Sequence, residues 1–205
     1  MLVLGTANRK KGHELALLLA PAGIPLKTLA DFPEAIDVVE DGKTFAENAA
    51  KKACQQAEHL KTWVLADDSG LAVDALDGRP GVFSARYSGP EADDQSNNQR
   101  LLEELADLPS EKRTAEFVCH VVLSDPTGEI VAHCDARCRG RILFEPQGTH
   151  GFGYDPLFEI VEYHRSLAML GPRVKACLSH RARAMRMMIP KLDEIKGDAT
   201  LFSTG

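Results

Sequence analysis

No stretch of this 205-residue sequence approaches the roughly 18 uninterrupted apolar residues that a membrane-crossing helix needs, so no helical span is expected. The opening Met1-Leu2-Val3-Leu4-Gly5-Thr6 is too short for a signal-peptide core and reads as a first strand. There is no Cys-x-x-Cys pair. The five cysteines, Cys54, Cys119, Cys134, Cys138 and Cys177, are odd in number and irregularly spaced, so no disulfide framework is implied and a reducing, cytoplasmic setting is expected. Acidic residues outnumber basic ones, 30 to 24. A net charge of −6 argues against a broad nucleic-acid surface but leaves room for a small anionic ligand. Internal repeats, low-complexity tracts and composition shifts are absent too, so residues 1–205 read as one domain.

What is present is ordinary for a globular protein, with 44% apolar and 26% charged residues. Leu2 to Thr6 reads as a strand, followed by a helix with Leu15, Leu18 and Leu19 on one face, closed near Pro21-Ala22-Gly23. Thr44 and Glu47 have the spacing of a capping box. The helix they open carries an apolar stripe of Phe45, Ala49, Ala53, Ala57 and Leu60. On that wheel Lys52 borders the stripe and Lys51 points the opposite way, so one lysine faces inward. The apolar run Trp63 to Ala66 reads as a short buried strand ended by a Ser69-Gly70 turn. A glycine-punctuated loop runs on to Gly81, and Asp93 or Asp94 caps a helix bearing Leu101, Leu102 and Leu105. Ala115–Leu123 and Glu129–Arg139 read as strands joined by the turn Asp125-Pro126-Thr127-Gly128, an antiparallel hairpin that makes the sheet mixed. A last helix runs from about Ser179 through Met188, with Pro190 disturbing it.

Several clusters carry possible chemistry, each with a bland reading beside it. Asp67 and Asp68 are adjacent carboxylates at the end of an apolar run, where mutual repulsion and desolvation call for a cation, a metal or a proton-transfer role. The bland reading is a solvated pair or a helix cap. Thr6-Ala7-Asn8-Arg9-Lys10-Lys11 lies between strand and helix, where exposed backbone N–H groups attract anions and Asn8 and Lys11 can add donors. It lacks the Gly-Lys-Ser/Thr ending of a Walker loop, and taken alone a polar N-cap with a solvated basic turn is the better reading. Ser179 reads as the cap that puts His180 and Arg181 in a first helical turn, opposed to the helix dipole unless an anion binds there. The glycines of residues 148–156 flank Phe152 and Tyr154, offering ring faces for a nucleobase, while Asp155 either receives hydrogen bonds from a base or organises the loop. The competing reading is an aromatic that plugs the core. Glu40 with Asp68 forms a hard-oxygen pair suited to Mg²⁺, completed by phosphate oxygens and water. A rival zinc reading uses His133, Cys134 and Cys138 with Cys119 and His120. On one strand Cys134 and Cys138 stand about 13 Å apart, too far to share an ion, so buried structural cysteines are the better reading.

Six segments in register resemble the inosine triphosphate pyrophosphatase family, which removes noncanonical purine nucleoside triphosphates. They are Thr6-x-Asn8-x-x-Lys11-x-x-Glu14, Thr44-Phe45-x-Glu47-Asn48-Ala49, Ala66-Asp67-Asp68-Ser69-Gly70-Leu71, Pro80-Gly81-x-x-Ser84-Ala85-Arg86-Tyr87, Gly151-Phe152-Gly153-Tyr154-Asp155-Pro156 and Ser179-His180-Arg181. The resemblance implies an α/β fold with an elongated mixed sheet flanked by helices, two lobes around a central active-site cleft, and a homodimer. It implies cleavage of ITP, dITP or XTP between the α and β phosphates with Mg²⁺ or another hard divalent cation. By resemblance Asp68 activates water and ligates the metal, Glu40 is the second metal carboxylate and Lys52 faces the phosphates. Thr6, Asn8, Lys11 and Ser69 cradle the triphosphate, while Phe152, Gly153, Tyr154, Asp155, Lys175, His180 and Arg181 hold the base and sugar.

Two departures from the pattern stand out. Ala7 takes the place of a usual glycine, a small change that keeps the turn, and residues 164–174 lack the acidic helix that usually precedes the lysine. The five-residue spacing from Lys175 to His180 is the expected one. Two other functions fit parts of the pattern: a Maf-like pyrophosphatase for pyrimidine or modified nucleotides, and a nucleotide- or RNA-binding module without catalysis. The joint presence of Glu40, Lys52 and Asp68 speaks against the second, because binding alone needs no water-activating carboxylate.

Overall fold

The computed structural model describes residues 1–197. Its elements in chain order are β1 (Leu2–Leu4), α1 (Arg9–Leu19), β2 (Leu26–Thr28), α2 (Phe45–Leu60), β3 (Trp63–Val73), α3 (Asp94–Glu104), β4 (Thr114–Ser124), β5 (Ile130–Ile142), β6 (Phe158–Ile160), β7 (Arg165–Ser166), α4 (Leu167–Leu178) and α5 (His180–Gly197), with short 3₁₀ turns between them. The strands form one seven-stranded sheet in the order β2-β1-β3-β4-β5-β6-β7. β1 pairs in parallel with β2 and β3, whereas β5–β6 and β6–β7 are antiparallel, so the fold is α/β with a mixed sheet. β4 and β5 are neighbours joined through the turn in which Gly128 N–H donates to the Asp125 carbonyl. So short a connection allows only an antiparallel pair. No helix among the described residues is long and apolar enough to cross a membrane.

The chain divides into two compact units: Met1–Asp68, Cys119–Ala136 and the chain from Arg181, and then Ser69–Val118 with Arg137–His180. In the first unit β1 and the first half of β3 are buried on both faces. Leu2, Leu4 and Leu65 pack with Leu15 and Leu19 of α1 and with Met185 and Met188 of α5. On the opposite face Val3 and Val64 meet Ala57, while Ala66 and Val122 meet Ala49 and Ala53, so α2 approaches through its small residues. In the second unit Leu71, Val73, Leu101, Leu105, Phe117, Tyr154 and Phe158 share one core. That core also surrounds a buried guanidinium. Arg113 donates to the carbonyls of Leu105, Ile142 and Leu143 at 2.7–2.9 Å, and its group lies 4.4 Å from the Phe144 ring centroid.

Three expectations change in the folded chain. Ser69-Gly70 does not end the strand, which continues to Val73. Gly70 is instead required by packing, because a Cβ there would lie 2.4 Å from Ser84 Oγ and 2.7 Å from the Gly81 carbonyl oxygen. The last helix runs through Pro190 to Gly197, since the buried faces of Met185, Met188 and Leu192 keep it packed across the proline. The Thr44 cap forms as expected, accepting from Glu47 N–H, but the Glu47 carboxylate accepts from Lys43 N–H and not from the cap residue.

Ser84 Oγ is held by Leu71 N–H and donates to the Gly81 carbonyl, so it has no room to yield to a larger residue at position 70. Gly70→Ala is therefore expected to cost about 1–3 kcal/mol in urea denaturation, the usual range for overpacking. A loss within experimental error would show that close packing does not require this glycine.

Candidate active site

The two carboxylates at the centre of the first unit are separated by strand geometry. Successive side chains on β3 leave opposite faces of the sheet. Asp67 shares the face of Leu65, toward α1 and α5, and Asp68 shares the face of Val64 and Ala66, toward α2. Each meets its own cation there. Asp67, 1% exposed, receives Arg181 Nε and Nη2 at 3.2 and 3.1 Å, and the same guanidinium pairs with Glu14. Asp68, 6% exposed, receives Lys52 Nζ at 3.3 Å and Asn48 Nδ2 at 3.3 Å.

Around Asp68 the inward face of α2 supplies the rest. Lys52 Nζ also donates to Glu40 Oε2 at 2.8 Å, so the Glu40 and Asp68 carboxylates converge on one ammonium group. Burial pushes the Asp68 carboxyl above its ordinary range, with Lys52 and Lys11 pulling it back and Glu40 adding to the rise. Burial also works against the Lys52 charge, but Asp68, Asp67 and Glu40 together outweigh it and hold the ammonium protonated. Lys51, on the outer side of the helix, pairs with Asp41.

The turn between β1 and α1 is a capped helix start. Asn8 Oδ1 accepts from Lys10 N–H at 3.0 Å and Lys11 N–H at 3.1 Å, and Thr6 Oγ1 accepts from Asn8 N–H at 3.2 Å. The Asn8 carbonyl oxygen of its side chain is thus engaged in capping, while the half-buried Lys11 is near enough to act on Asp68 electrostatically. Ala7 is exposed and leaves the turn intact. Structure brings Lys11, Glu40, Lys52 and Asp68 together and adds Asn48, which the site reading from sequence left out. A polar residue one helical turn before Lys52 on a buried face was the available signal.

Arg181 stands in the first turn of α5, where Asp67 and Glu14 pair with its guanidinium. Although burial opposes the guanidinium charge, these two carboxylates raise its pKa further above the usual value.

The second unit holds the remaining candidates. Asp155 Oδ2 accepts from Lys175 Nζ at 2.6 Å and from Phe152 N–H at 2.9 Å, and Lys175 Nζ lies 4.4 Å from the Phe152 ring centroid. Of the two roles open to Asp155, this geometry shows the organiser of the loop. Gly151 has φ +82°, and a Cβ there would come within 2.0 Å of Asp155 Oδ2, which explains the glycine. The Gly153 carbonyl accepts from Asn98 Nδ2. Tyr154 does not present an open ring face. It is 4% exposed, sits in the core and donates its hydroxyl to the Ser84 carbonyl at 2.8 Å. Phe152 is the half-buried aromatic of the pair. His180 stacks on Phe117 with centroids 4.7 Å apart, and Ser69 is half-buried on β3. Residues 164–174 form β7 and the start of α4, where Gly171 at φ +76° and Pro172 break the helix before Lys175.

Glu40 and Asp68 offer hard oxygens that both reach the same ammonium group, a donor set suited to Mg²⁺ or another hard divalent cation. No three His, Cys, Asp or Glu side chains gather around a point among the described residues. The cysteines of the zinc alternative lie in the cores. Cys119 and Cys134 belong to the first unit and Cys138 to the second, and burial pushes the Cys134 thiol up to about 11.

Arg181→Leu leaves Asp67 and Glu14 without their shared guanidinium and is expected to cost about 3–5 kcal/mol in urea denaturation. Adding Asp67→Asn should recover part of that loss. Strictly additive losses would show that the two side chains are not coupled.

Comparison with known proteins places this arrangement. A family model described as the Ham1 family matches residues 2–191. A Rhodopirellula baltica protein named dITP/XTP pyrophosphatase is 56% identical over 191 residues, covering 93% of this chain and 92% of that one. A Geobacillus kaustophilus protein of the same name is 47% identical, with 96% of each chain covered. Among solved structures, a HAM1 protein from Coxiella burnetii matches with a TM-score of 0.85 at 37% identity, over 94% of this chain and 98% of that one. The chain belongs to the Ham1 family.

Proposed function

We propose that this protein is a nucleoside triphosphate pyrophosphatase that cleaves ITP, dITP and XTP to the monophosphate and pyrophosphate, with Mg²⁺ held by Glu40 and Asp68. The observation that carries the reading is a buried carboxylate, Asp68, set between Lys52 and Asn48 with Glu40 on the same ammonium. The names of the relatives support the substrate class. The single domain proposed over residues 1–205 draws support from a family match that runs unbroken over residues 2–191. A homodimer in the cytoplasm completes the proposal, and sedimentation velocity measures the assembly.

In this reading Asp68 takes the proton from the attacking water. With no ion bound, burial raises its pKa and makes it a better base than an exposed aspartate. Lys52 offsets negative charge that develops on the phosphates, and Lys11 adds a second cation from the α1 start. A divalent ion, when bound, neutralises phosphate charge and lowers the pKa of water. In the second unit Phe152, with the Asp155-paired Lys175 ammonium over its ring, is the aromatic assigned to the purine. Selection of a 6-keto purine rests on polar groups that pair with O6 and reject the adenine amino group.

A pyrophosphate-release assay comparing ITP, XTP, dUTP and the standard triphosphates tests the assignment, with ITP and XTP expected to dominate. Asp68→Asn should lower turnover about 10²–10⁴-fold. Normal turnover in that variant would remove Asp68 as the base. Because only ionised Asp68 accepts the proton, kcat/KM should fall as pH drops through the pKa of this carboxylate, giving an acid limb. Lys52→Gln removes a cation that lowers this pKa, so its residual activity should show the limb at still higher pH. An unmoved limb would show that the limb does not report Asp68.

A further inference from the structure

Glu40 lies in a segment without regular secondary structure between Asp31 and Phe45, where nothing in its own backbone pattern holds a carboxylate in place. The face of α2 that bears Lys52 supplies what is missing. Asn48, Lys52 and Gln56 are spaced four residues apart, so they stack in one row, and all three are buried. The middle member pairs with Glu40. The outer two hold the chain on either side of it. Gln56, 2% exposed, accepts from Ile36 N–H through Oε1 at 3.4 Å and donates through Nε2 to the Ile36 carbonyl. Asn48, 1% exposed, accepts from Gly42 N–H through Oδ1 at 2.8 Å while its Nδ2 reaches Asp68. A Cβ on Gly42 would stand 2.5 Å from Asn48 Oδ1, so the approach requires glycine.

We infer that Gln56 and Asn48 are positioning residues that bracket Glu40, holding its carboxylate where it can join Asp68 at a divalent cation. Gln56 satisfies both polar groups of one peptide residue, as a neighbouring strand would, and fixes the chain four residues before Glu40. Asn48 fixes it two residues after and ties the same segment to Asp68. A buried side-chain amide on this row has no other demand from the helix itself, because the backbone of α2 already makes its own hydrogen bonds. The inference rests on the proposed function through Glu40, and the test separates the two.

Mn²⁺ binding to the full-length protein without nucleotide, followed by electron paramagnetic resonance, is compared in wild type, Glu40→Gln and Gln56→Leu, alongside the Mg²⁺ activation constant and kcat for ITP. Leu fills the volume of Gln56 and removes both hydrogen bonds. The expected result is a Kd for Mn²⁺ raised about tenfold or more in Glu40→Gln and severalfold in Gln56→Leu. The activation constant should rise in Gln56→Leu while kcat at saturating Mg²⁺ stays near wild type. Gln56→Glu keeps the acceptor for Ile36 N–H and should give an intermediate Kd. If Glu40→Gln weakens Mn²⁺ but Gln56→Leu only lowers Tm, the bracket is overturned and the metal assignment stands. If neither variant weakens Mn²⁺, Glu40 is not a metal ligand and both readings fall.

Discussion

The structure depends on how two neighbouring carboxylates are kept apart inside a protein core. Buried side by side with one counter-charge, Asp67 and Asp68 would repel each other and both would be driven toward the protonated form. The pleat of β3 removes the conflict by sending them to opposite faces of the sheet, each to its own cation. Asp67 joins Arg181 and Glu14, two carboxylates on one guanidinium. Asp68 and Glu40 likewise share the Lys52 ammonium, and Lys11 acts on Asp68 as a second cation. The first group lies in the core between β3, α1 and α5, and the second sets two hard-oxygen carboxylates on one ammonium beside α2.

The helix opposite Asp68 is built for this task at some cost in packing. Ala49, Ala53 and Ala57 bring α2 close to the strands, and the adjacent row Asn48, Lys52 and Gln56 carries polar atoms into the interior. Buried polar groups are tolerated only when their hydrogen bonds are made. Here the partners are the Asp68 carboxylate and the backbone of the segment bearing Glu40, so the satisfaction of the helix and the shaping of the site are one set of bonds. The second unit follows the same logic at smaller scale. The Asp155 carboxylate closes its glycine-rich loop by accepting from Phe152 N–H and from Lys175.

Much of the architecture was legible from the residues. The elements β1, α1, α2, α3, β4, β5 and α5, the 125–128 turn, the Thr44 cap and the inward lysine at position 52 follow from local rules of periodicity and capping, whereas β2, β6, β7 and α4 left no local signal that was read. Errors arose where a local signal had a distant cause. Ser69-Gly70 resembles a turn, but Gly70 is small because Ser84 and the Gly81 carbonyl press against it from elsewhere in the chain. Pro190 resembles a break, yet packing on both sides carries α5 through it. Tyr154 resembles an exposed ring because glycines flank it, whereas its hydroxyl has a partner seventy positions away.

The sequence by itself determined which groups were available: two carboxylates on an apolar strand, an amphipathic helix with one inward cation, a capped basic turn and a glycine-bound aromatic loop, in an order that matches one family. These are properties of spacing, and spacing is local. Tertiary structure decided which cation each carboxylate met. Arg181, read from sequence as a cation awaiting an anion, is committed to Asp67 across 114 positions. Asn48, passed over as a site residue, reaches Asp68. Pairings of this kind depend on which faces of the strand and helices come together, and no local pattern records that.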